Sequence, residues 1–543
     1  MYYDFTNPSK SKPRVLIVEN DPKARVDYQT LLMYWDYEPV LAMGTGGSLI
    51  EDAKRKAKEY RCALALIDLR LTDDYNDKDT SGLKLAEQMP EAIRPIILSG
   101  HADPEILIAL LQKRVDIIFI KKDTDRDSFQ GLVDTEAAKV TASKRGLVFE
   151  NPEILMGIAS SPLVEQAGNY PDQIADIFAR LFPKAKRLRL EKLEIRPASS
   201  IISTIPRPNS AVIKVYEDSY EPVVVKLARA EKIRIEADRY NTHIHMRLTG
   251  GFTARMERST ALWDIGGASY SFVDKFDVKP FSSFYEENPI PAITECLSSF
   301  FEGVWKKHYD NAKVATNVSL FQLYSQVWGD WYGKKVKETT SKINSPTASQ
   351  LDIPEPICWI GEKIAEADRD LSMMDATRLA ITHGDLHGDN LLVDNKRNVW
   401  VIDFERCGEG HALQDFIELE SDIYNRLEEH HYNNIAFLRM YLAILKEKQI
   451  ASLMVDASIT DDVRLNKAIA TVAFLRSLAV KLTNITDARE YLLGLLFNAV
   501  FRAALVQKID SQKSRRSLLL AGLICHRLDH WDEPWPPENW NLL

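Results

Sequence analysis

From Arg14 onward the chain alternates short apolar runs with stretches of helical period. Arg14–Glu19 (RVLIVE) is β-branched and closes on an acid; a helical stretch to about Trp35 follows, then Glu38–Ala42, Leu49–Tyr60 and Cys62–Ile67. The alternation continues with Gly82–Met89 as helix, Pro95–Leu98 as strand, Pro104–Gln112 as helix and Val115–Ile120 as strand. Short apolar runs bounded by turn residues predict buried strands, and five β/α units in about 110 residues predict an α/β fold with a doubly wound parallel five-stranded sheet. In that architecture the side chains that follow the strands converge on one edge.

Beyond Asp123 the period is lost, and the stretch to about Asp172 reads as a final helix and a connector; the helical spacing of Gln173–Phe182 then opens a new unit, with the connector as a whole bounded at 124–186. A second pattern then begins. Arg187–Glu194, Ala211–Tyr216 and Pro222–Leu227 read as successive strands of an antiparallel sheet, with Lys232–Tyr240 as a helix behind them. Residues 187–276 therefore form a small α+β lobe. Residues 277–528 are largely helix-compatible, except around Ile381–Asp403, where Asn390–Val393 and Val399–Ile402 predict a tight hairpin turning at Asp394–Asn398. The last stretch, 529–543, sets three tryptophans among three prolines and forms no regular element. With 13–123 as the first domain, the chain has a doubly wound domain, a connector, a two-lobed α+β domain with a large helical lobe, and a tail.

Composition narrows the function classes. The 543 residues are 45% hydrophobic and 27% charged, a globular balance, and 69 Lys and Arg against 78 Asp and Glu give a net charge of -9. No global positive field is available to hold nucleic acid or an anionic membrane. The five cysteines (Cys62, Cys296, Cys358, Cys407, Cys525) are scattered and contain no C-x-x-C pair, which points away from disulfide frameworks and zinc sites and toward a reducing, cytoplasmic setting. Met1–Lys12 lacks an apolar signal core and the most apolar late stretch, Tyr491–Val506, is broken by Asn498 and Arg502, so neither export nor a membrane span is expected.

At the functional edge of the first domain stand Glu19, Asn20 and Asp21 after the first strand, Asp68 after the third, Ser99 after the fourth and Lys121 after the fifth. An acid cluster can hold Mg2+, a central carboxylate can accept a phosphoryl group, and a hydroxyl and an ammonium can stabilise the product. VLIVEND, LIDLRL, IILSG and FIKKD, each at the end of its strand, make Pro13–Asp123 similar to the receiver domain of two-component response regulators. The resemblance implies Asp68 as phosphoacceptor, Glu19 and Asn20 as metal ligands, Ser99 as the switch hydroxyl and Lys121 as the partner of the phosphate. Two departures are visible. Asn20 stands where the family has a second acid, which weakens Mg2+ binding, and Thr72–Thr80 (TDDYNDKDT) lengthens the stretch before Gly82, either supplying acids to the site or forming a solvated loop. A degenerate receiver used for dimerisation or docking is the alternative.

Ile381–Glu405 (ITHGDLHGDNLLVDNKRNVWVIDFE) carries the second constellation. Phosphoryl transfer needs a carboxylate to orient or deprotonate an alcohol and oxygen ligands to hold Mg2+ on nucleotide phosphates. Asp385 lies between two histidines, Asn390 follows five residues later, and Asp403 thirteen after that, at the far end of the hairpin. The window resembles the H-G-D-x-H-x-x-N and I-D-F/W-E segments of aminoglycoside phosphotransferase-type kinases. By that resemblance Asp385 is the catalytic base, Asn390 and Asp403 are Mg2+ ligands, His383 braces the loop and Asp415 in LQDFIE is a structural acid. By the same resemblance VVVK (Val223–Lys226) and Glu236 supply the lysine and helix acid that grip ATP or another NTP, with Lys226 preceding Asp385 by 159 residues. The phosphate-covering loop, RPASSIISTIPRPNSA, contains no glycine, leaving Asn209 and Ser210 as its hydrogen-bond donors. A transition-metal cluster of His383, Asp385, His387 and Asp389 would leave VIDFE unexplained. The lysines and arginines of Lys184–Lys192 (KAKRLRLEK) alternate with leucine as the outer face of a strand.

Together the two resemblances imply a signalling protein in which a receiver, charged by a sensor histidine kinase or another phosphodonor, regulates an ATP- and Mg2+-dependent phosphotransferase acting on a hydroxyl-bearing small molecule or a protein. Pairing of two copies through the receiver is compatible with this reading. The alternative from another class is a non-catalytic receiver–pseudokinase scaffold that binds nucleotide and assembles a complex.

Overall fold

The computed structural model describes residues 4–7, 10–73, 76, 79–100, 117–161, 163, 170–193, 210–217, 221–248, 253–271, 278–340, 351–367, 370–427, 434–453, 459, 462–506, 511–538 and 540. The chain divides into two units: Met1–Glu194 with Ala198–Ala237 and Arg255–Phe272, and Ile195–Pro197 with Asp238–Ala254 and Val273–Leu543.

The first unit opens with the doubly wound domain. Strands β1 (Arg14–Val18), β2 (Glu38–Leu41), β3 (Leu64–Asp68), β4 (Arg94–Ser99) and β5 (Ile118–Lys121) form an all-parallel sheet in the order β2-β1-β3-β4-β5. Helices α1 (Pro22–Tyr34), α2 (Gly46–Glu59), α3 (Ser81–Gln88) and α4 (Arg126–Val140) accompany it. Every residue of β3 is buried, as the unbroken apolar run predicts for a central parallel strand. The predicted helix Pro104–Gln112 and the first residues of the predicted strand from Val115 lie outside the described residues.

A six-stranded sheet follows in the same unit, in the order β10-β11-β9-β8-β7-β6. Its strands are β6 (Val148–Glu150), β7 (Arg187–Lys192), β8 (Ser210–Glu217), β9 (Val223–Arg229), β10 (Met256–Leu262) and β11 (Ile265–Ser271). The stretch read as a connector is divided: its first helix, α4, packs in the core of the parallel sheet, and its later part belongs to this sheet. It supplies β6, which pairs parallel to β7, and helix α5 (Asp172–Leu181). Ile174, Ile177, Phe178 and Leu181 of α5 share one core with Leu188, Val215, Leu227 and Ile265 of the strands. A three-residue strand is too short to show alternation, so β6 leaves no signal in the sequence. The strand reading of Lys184–Lys192 holds: Leu188 and Leu190 are fully buried while Arg187 and Arg189 face out. Helix α6 (Ala230–Arg239) follows β9.

The second unit holds two three-stranded sheets, β12-β15-β16 and β13-β14-β17. These strands are β12 (Lys279–Pro280), β13 (Lys313–Ser319), β14 (Met373–Thr382), β15 (Leu391–Val393), β16 (Val399–Val401) and β17 (Gly408–His411), and around them lie α7 (Gln414–Leu427), α8 (Asn434–Ile444), α9 (Val463–Thr483), α10 (Ala488–Val506) and α11 (Ser511–Asp529). The predicted hairpin is β15–β16. Its turn is closed by Asp394, which accepts from the Lys396 and Asn398 backbone at 2.8 and 2.9 Å. In the tail, Trp535 donates to the Leu442 carbonyl at 2.9 Å and Trp540 is buried, so these indoles lie on the chain's own helices. Among the described residues no helix is long and apolar enough to cross a membrane.

Candidate functional site

The carboxyl edge of the parallel sheet brings Glu19, Asp68 and Ser99 together as buried polar groups in an otherwise apolar core. The ammonium that meets them belongs to Lys122, not Lys121. Lys122 Nζ lies 3.1 Å from Glu19 Oε2 and 3.0 Å from Asp68 Oδ1. Lys121 is the last residue of β5, pairs with Ser99 in the sheet and is exposed. Pleat parity sends neighbouring side chains to opposite sides, and Lys122 is fixed over the edge by its own N–H, which donates to the Ser99 carbonyl at 3.0 Å. Burial, followed by the charge of Glu19, pushes the Asp68 carboxyl up to about 6 against the opposing pull of Lys122. Two buried carboxylates converging on one cation form an oxygen pair of the kind a hard divalent ion takes. Asn20 is half-buried beside them, and its Oδ1 accepts from the Asp21 N–H at 3.1 Å.

The TDDYNDKDT stretch uses its last acid on itself. Asp79 accepts from the backbone of Thr72, Asp73 and Ser81, each at 2.9 Å, which holds its carboxyl well below the usual range despite burial. Asp79 is therefore committed to closing the loop. Gly82 is required by contact: a Cβ there would stand 1.8 Å from the Asp68 carbonyl oxygen.

In the six-stranded sheet, Lys226 on β9 and Glu236 on α6 form a buried ion pair at 2.7 Å, as the resemblance carried by VVVK and Glu236 implies. Tyr270 on β11 donates to the other oxygen of Glu236 at 2.5 Å. Ser210 opens β8, the strand next to β9, and is half-buried. Asn209 and the glycine-free loop lie outside the described residues.

The second unit builds the segment that carries Asp385 and Asn390 between β14 and β15. Asn390 donates through Nδ2 to the Asp385 carbonyl at 2.9 Å, which leaves its Oδ1 as the acceptor. Its own carbonyl accepts from Ile402 at 3.1 Å, extending the β15–β16 ladder and setting Asn390 and Asp403 at the same open end of the hairpin. Asp403 has a φ of 69°, in the left-handed region that aspartate tolerates better than most residues. An amide oxygen and a partly exposed carboxylate fit a nucleotide-bound Mg2+. Arg406 Nη1 lies 3.3 Å from Asp385 Oδ1. Burial works to raise the Asp385 carboxyl, and Arg406 with His387 outweighs it, holding the group below its ordinary value. His383 is fully buried, packs edge-on to Trp305, and shares a hydrogen bond from Nε2 with the Ile402 carbonyl at 2.9 Å.

The loop's backbone is held by one helix. Asp415 accepts from His383 N–H at 2.9 Å and Gly384 N–H at 3.1 Å, Glu418 from Leu386 N–H at 2.7 Å, and Asp422 from Gly388 N–H at 2.8 Å. These acids are three and four residues apart on α7, one face of a helix, and together they satisfy four buried donors of a loop with no ladder of its own. Burial and the charges of Asp415 and Asp385 push Glu418 up to about 8, while Arg426 and Arg502 overcome burial to hold Asp422 well below the carboxylate range. Asp415 is the one the sequence motif names. Glu418 and Asp422 are readable only as acids among the other polar residues of their helix, Lys122 only as the second lysine of FIKKD and Arg406 only as a neighbour of VIDFE, and Tyr270 carries no signal.

A family model described as "Ternary complex associated domain 9" matches residues 347–501. No match is found among curated protein sequences. The signal receiver domain of a Luxo repressor protein from Vibrio parahaemolyticus aligns at 22% identity and a TM-score of 0.20, covering 23% of this chain and 90% of that one. An aminoglycoside 2′-phosphotransferase-IIIa solved with GDP aligns at 10% identity and a TM-score of 0.36, covering 66% of this chain and 97% of that one. The choline kinase LicA from Streptococcus pneumoniae aligns at 9% identity and a TM-score of 0.35, covering 64% and 97%. Receiver domains thus align with the N-terminal part, and phosphotransferase and choline-kinase folds with about two thirds of the chain.

Proposed function

We propose that the chain is a phosphorelay protein in which a receiver regulates an ATP-dependent phosphotransferase. The observation that carries the reading is the loop in which Asn390 is bonded to the Asp385 carbonyl while Asp415 anchors His383 and Gly384. It sets a carboxylate beside a metal-ligating amide, as transfer to a hydroxyl requires. Asp385 takes the proton of the acceptor hydroxyl as that oxygen bonds to the γ-phosphorus, and the bond to the β-phosphate oxygen breaks, releasing ADP. Lys226, steadied by Glu236, pairs with the phosphates, and Asn390 and Asp403 would hold Mg2+, which supplies charge neutralisation when bound. On the receiver, an Asp68 carboxylate oxygen bonds to the phosphorus of a phosphohistidine or other phosphodonor as the bond from phosphorus to the donor's nitrogen or oxygen breaks and the donor leaves with that electron pair, and Lys122 and the Ser99 hydroxyl meet the oxygens of the acyl phosphate. Glu19 and Asp68 would hold its Mg2+, with Asn20 as a neutral third donor. A cytoplasmic setting follows from this role.

ATP turnover by the wild-type protein and by Asp385→Asn tests the reading. A fall of about 10²-fold or more is expected in the variant, and equal background rates in both would overturn catalysis. The second reading, a nucleotide-binding scaffold, is favoured by Arg406, which occupies Asp385 and lowers its basicity, and by the ternary complex in the description of the family matching 347–501. Calorimetric titration with Mg-ATP separates the two, because the scaffold binds without turnover.

A further inference from the structure

Glu236 sits on α6, and α6 is fastened to strand β11 at two points. At its start the Ala230 N–H donates to the Asp264 carbonyl at 2.9 Å. Farther along, Glu236 accepts from Tyr270 at 2.5 Å. Between these points the helix rests on Gly266, where a Cβ would stand 2.8 Å from the Ile233 Cβ. The next residue is equally close to the other neighbour: a Cβ on Gly267 would stand 2.5 Å from Ile177 Cγ2 of α5. The strand has no side chain to compress where α5 and α6 meet it, so a displacement of β11 is passed on rather than absorbed.

The same strand is held by the receiver. Asp264 ends the tight β10–β11 turn, and its carboxylate accepts from Arg61 at 3.2 Å (Nε) and 2.6 Å (Nη2). Arg61 precedes β3 and stands on the sheet edge opposite Asp68, with its guanidinium 4.2 Å from the centre of the Tyr170 ring. Trp263, beside Asp264 in the turn, packs against both the receiver core and the core of the six-stranded sheet. Asp264 thus gives its side chain to the receiver and its backbone carbonyl to the helix that carries Glu236.

We infer that Asp264 and Tyr270 are positioning residues for the Lys226–Glu236 pair, and that the receiver acts on nucleotide binding through strand β11. The inference rests on the reading of Lys226 as the nucleotide lysine. A shift of the receiver against Asp264 moves the start of α6, and Tyr270 carries the same strand's movement to the Glu236 carboxylate.

The test is titration of the full chain with a fluorescent ATP analogue and Mg2+, with thermal melting of each variant alongside. Tyr270→Phe keeps the ring and removes the donor, and Arg61→Met keeps an unbranched side chain and removes the guanidinium that pairs with Asp264 and lies over Tyr170. Each is expected to raise the Kd about fivefold, the double variant to fall short of the product of the two, and Arg61→Lys to recover to within about twofold of wild type. If Lys226→Met binds as tightly as wild type, or wild type does not bind, the nucleotide reading itself fails. If Lys226→Met loses binding while Tyr270→Phe and Arg61→Met stay within about twofold of wild type, that reading stands and the coupling through β11 is overturned. Weakened binding in Tyr270→Phe alone overturns the receiver's part, and a loss in Arg61→Met that matches a lowered melting temperature and is not recovered by Arg61→Lys overturns it as well.

Discussion

Asp68 and Asp385 are carboxylates driven in opposite directions by what surrounds them. Asp68, raised to about 6, binds its proton more tightly in the folded than in the unfolded chain, so stability falls as pH rises from about 4 through 6, and the ionised group is a cost at neutral pH. Asp68→Asn is therefore expected to melt higher than wild type above pH 6, by on the order of 2 kcal/mol, with the gap closing near pH 4. A lower melting point at pH 7 would mean that the Lys122 pairing outweighs burial. Asp385 is held low by Arg406, so Arg406→Gln raises its proton affinity. In a pH–rate profile the acid limb should move to higher pH, and an unmoved limb would show that another group sets the ionisation of Asp385. Lys122→Ala is expected to abolish acyl-phosphate accumulation on Asp68, measured by mass spectrometry with acetyl phosphate and Mg2+, while Lys121→Ala leaves it intact.

Helix α7 shows how one element can substitute for the ladder a loop lacks. Glu418→Ala strands the Leu386 N–H, a buried donor, and should cost about 1–3 kcal/mol in a melting experiment; Glu418→Gln keeps an acceptor in place and should cost much less. Equal losses in the two would mean that the charge matters rather than the acceptor. These elements also mark where the sequence is readable. Motif residues fixed by spacing at strand ends, such as Glu19, Asp68, Asn390 and Asp403, stand where the alternation puts them, because strand parity and a tight hairpin leave little freedom. Lys122 was one residue away from legibility, since both lysines follow β5 and only the turn after it decides which one folds back. β11 is not readable, because Gly266 and Gly267 blunt the strand signal and their reason lies in two helices, one of them distant in sequence. The acids of α7 read as ordinary helix polarity until the loop they hold is seen.

The first unit does not break where the sequence changes character. A chain beginning at residue 187 would lose β6 and α5 and open the apolar face formed by Leu188, Val215, Leu227 and Ile265 to water. It is expected to be insoluble or to melt without cooperativity, and a sharp melt from such a fragment would refute the assignment of α5 to that core. The same arrangement has a consequence for how a cell could use the protein. The doubly wound domain, built into one unit with the Lys226 strand, is present at one copy for every Lys226, whatever the expression level. Under the proposed function, input and output then stay at a fixed one-to-one ratio at any gene dose, and a surplus of free receiver that would buffer incoming phosphoryl groups does not arise.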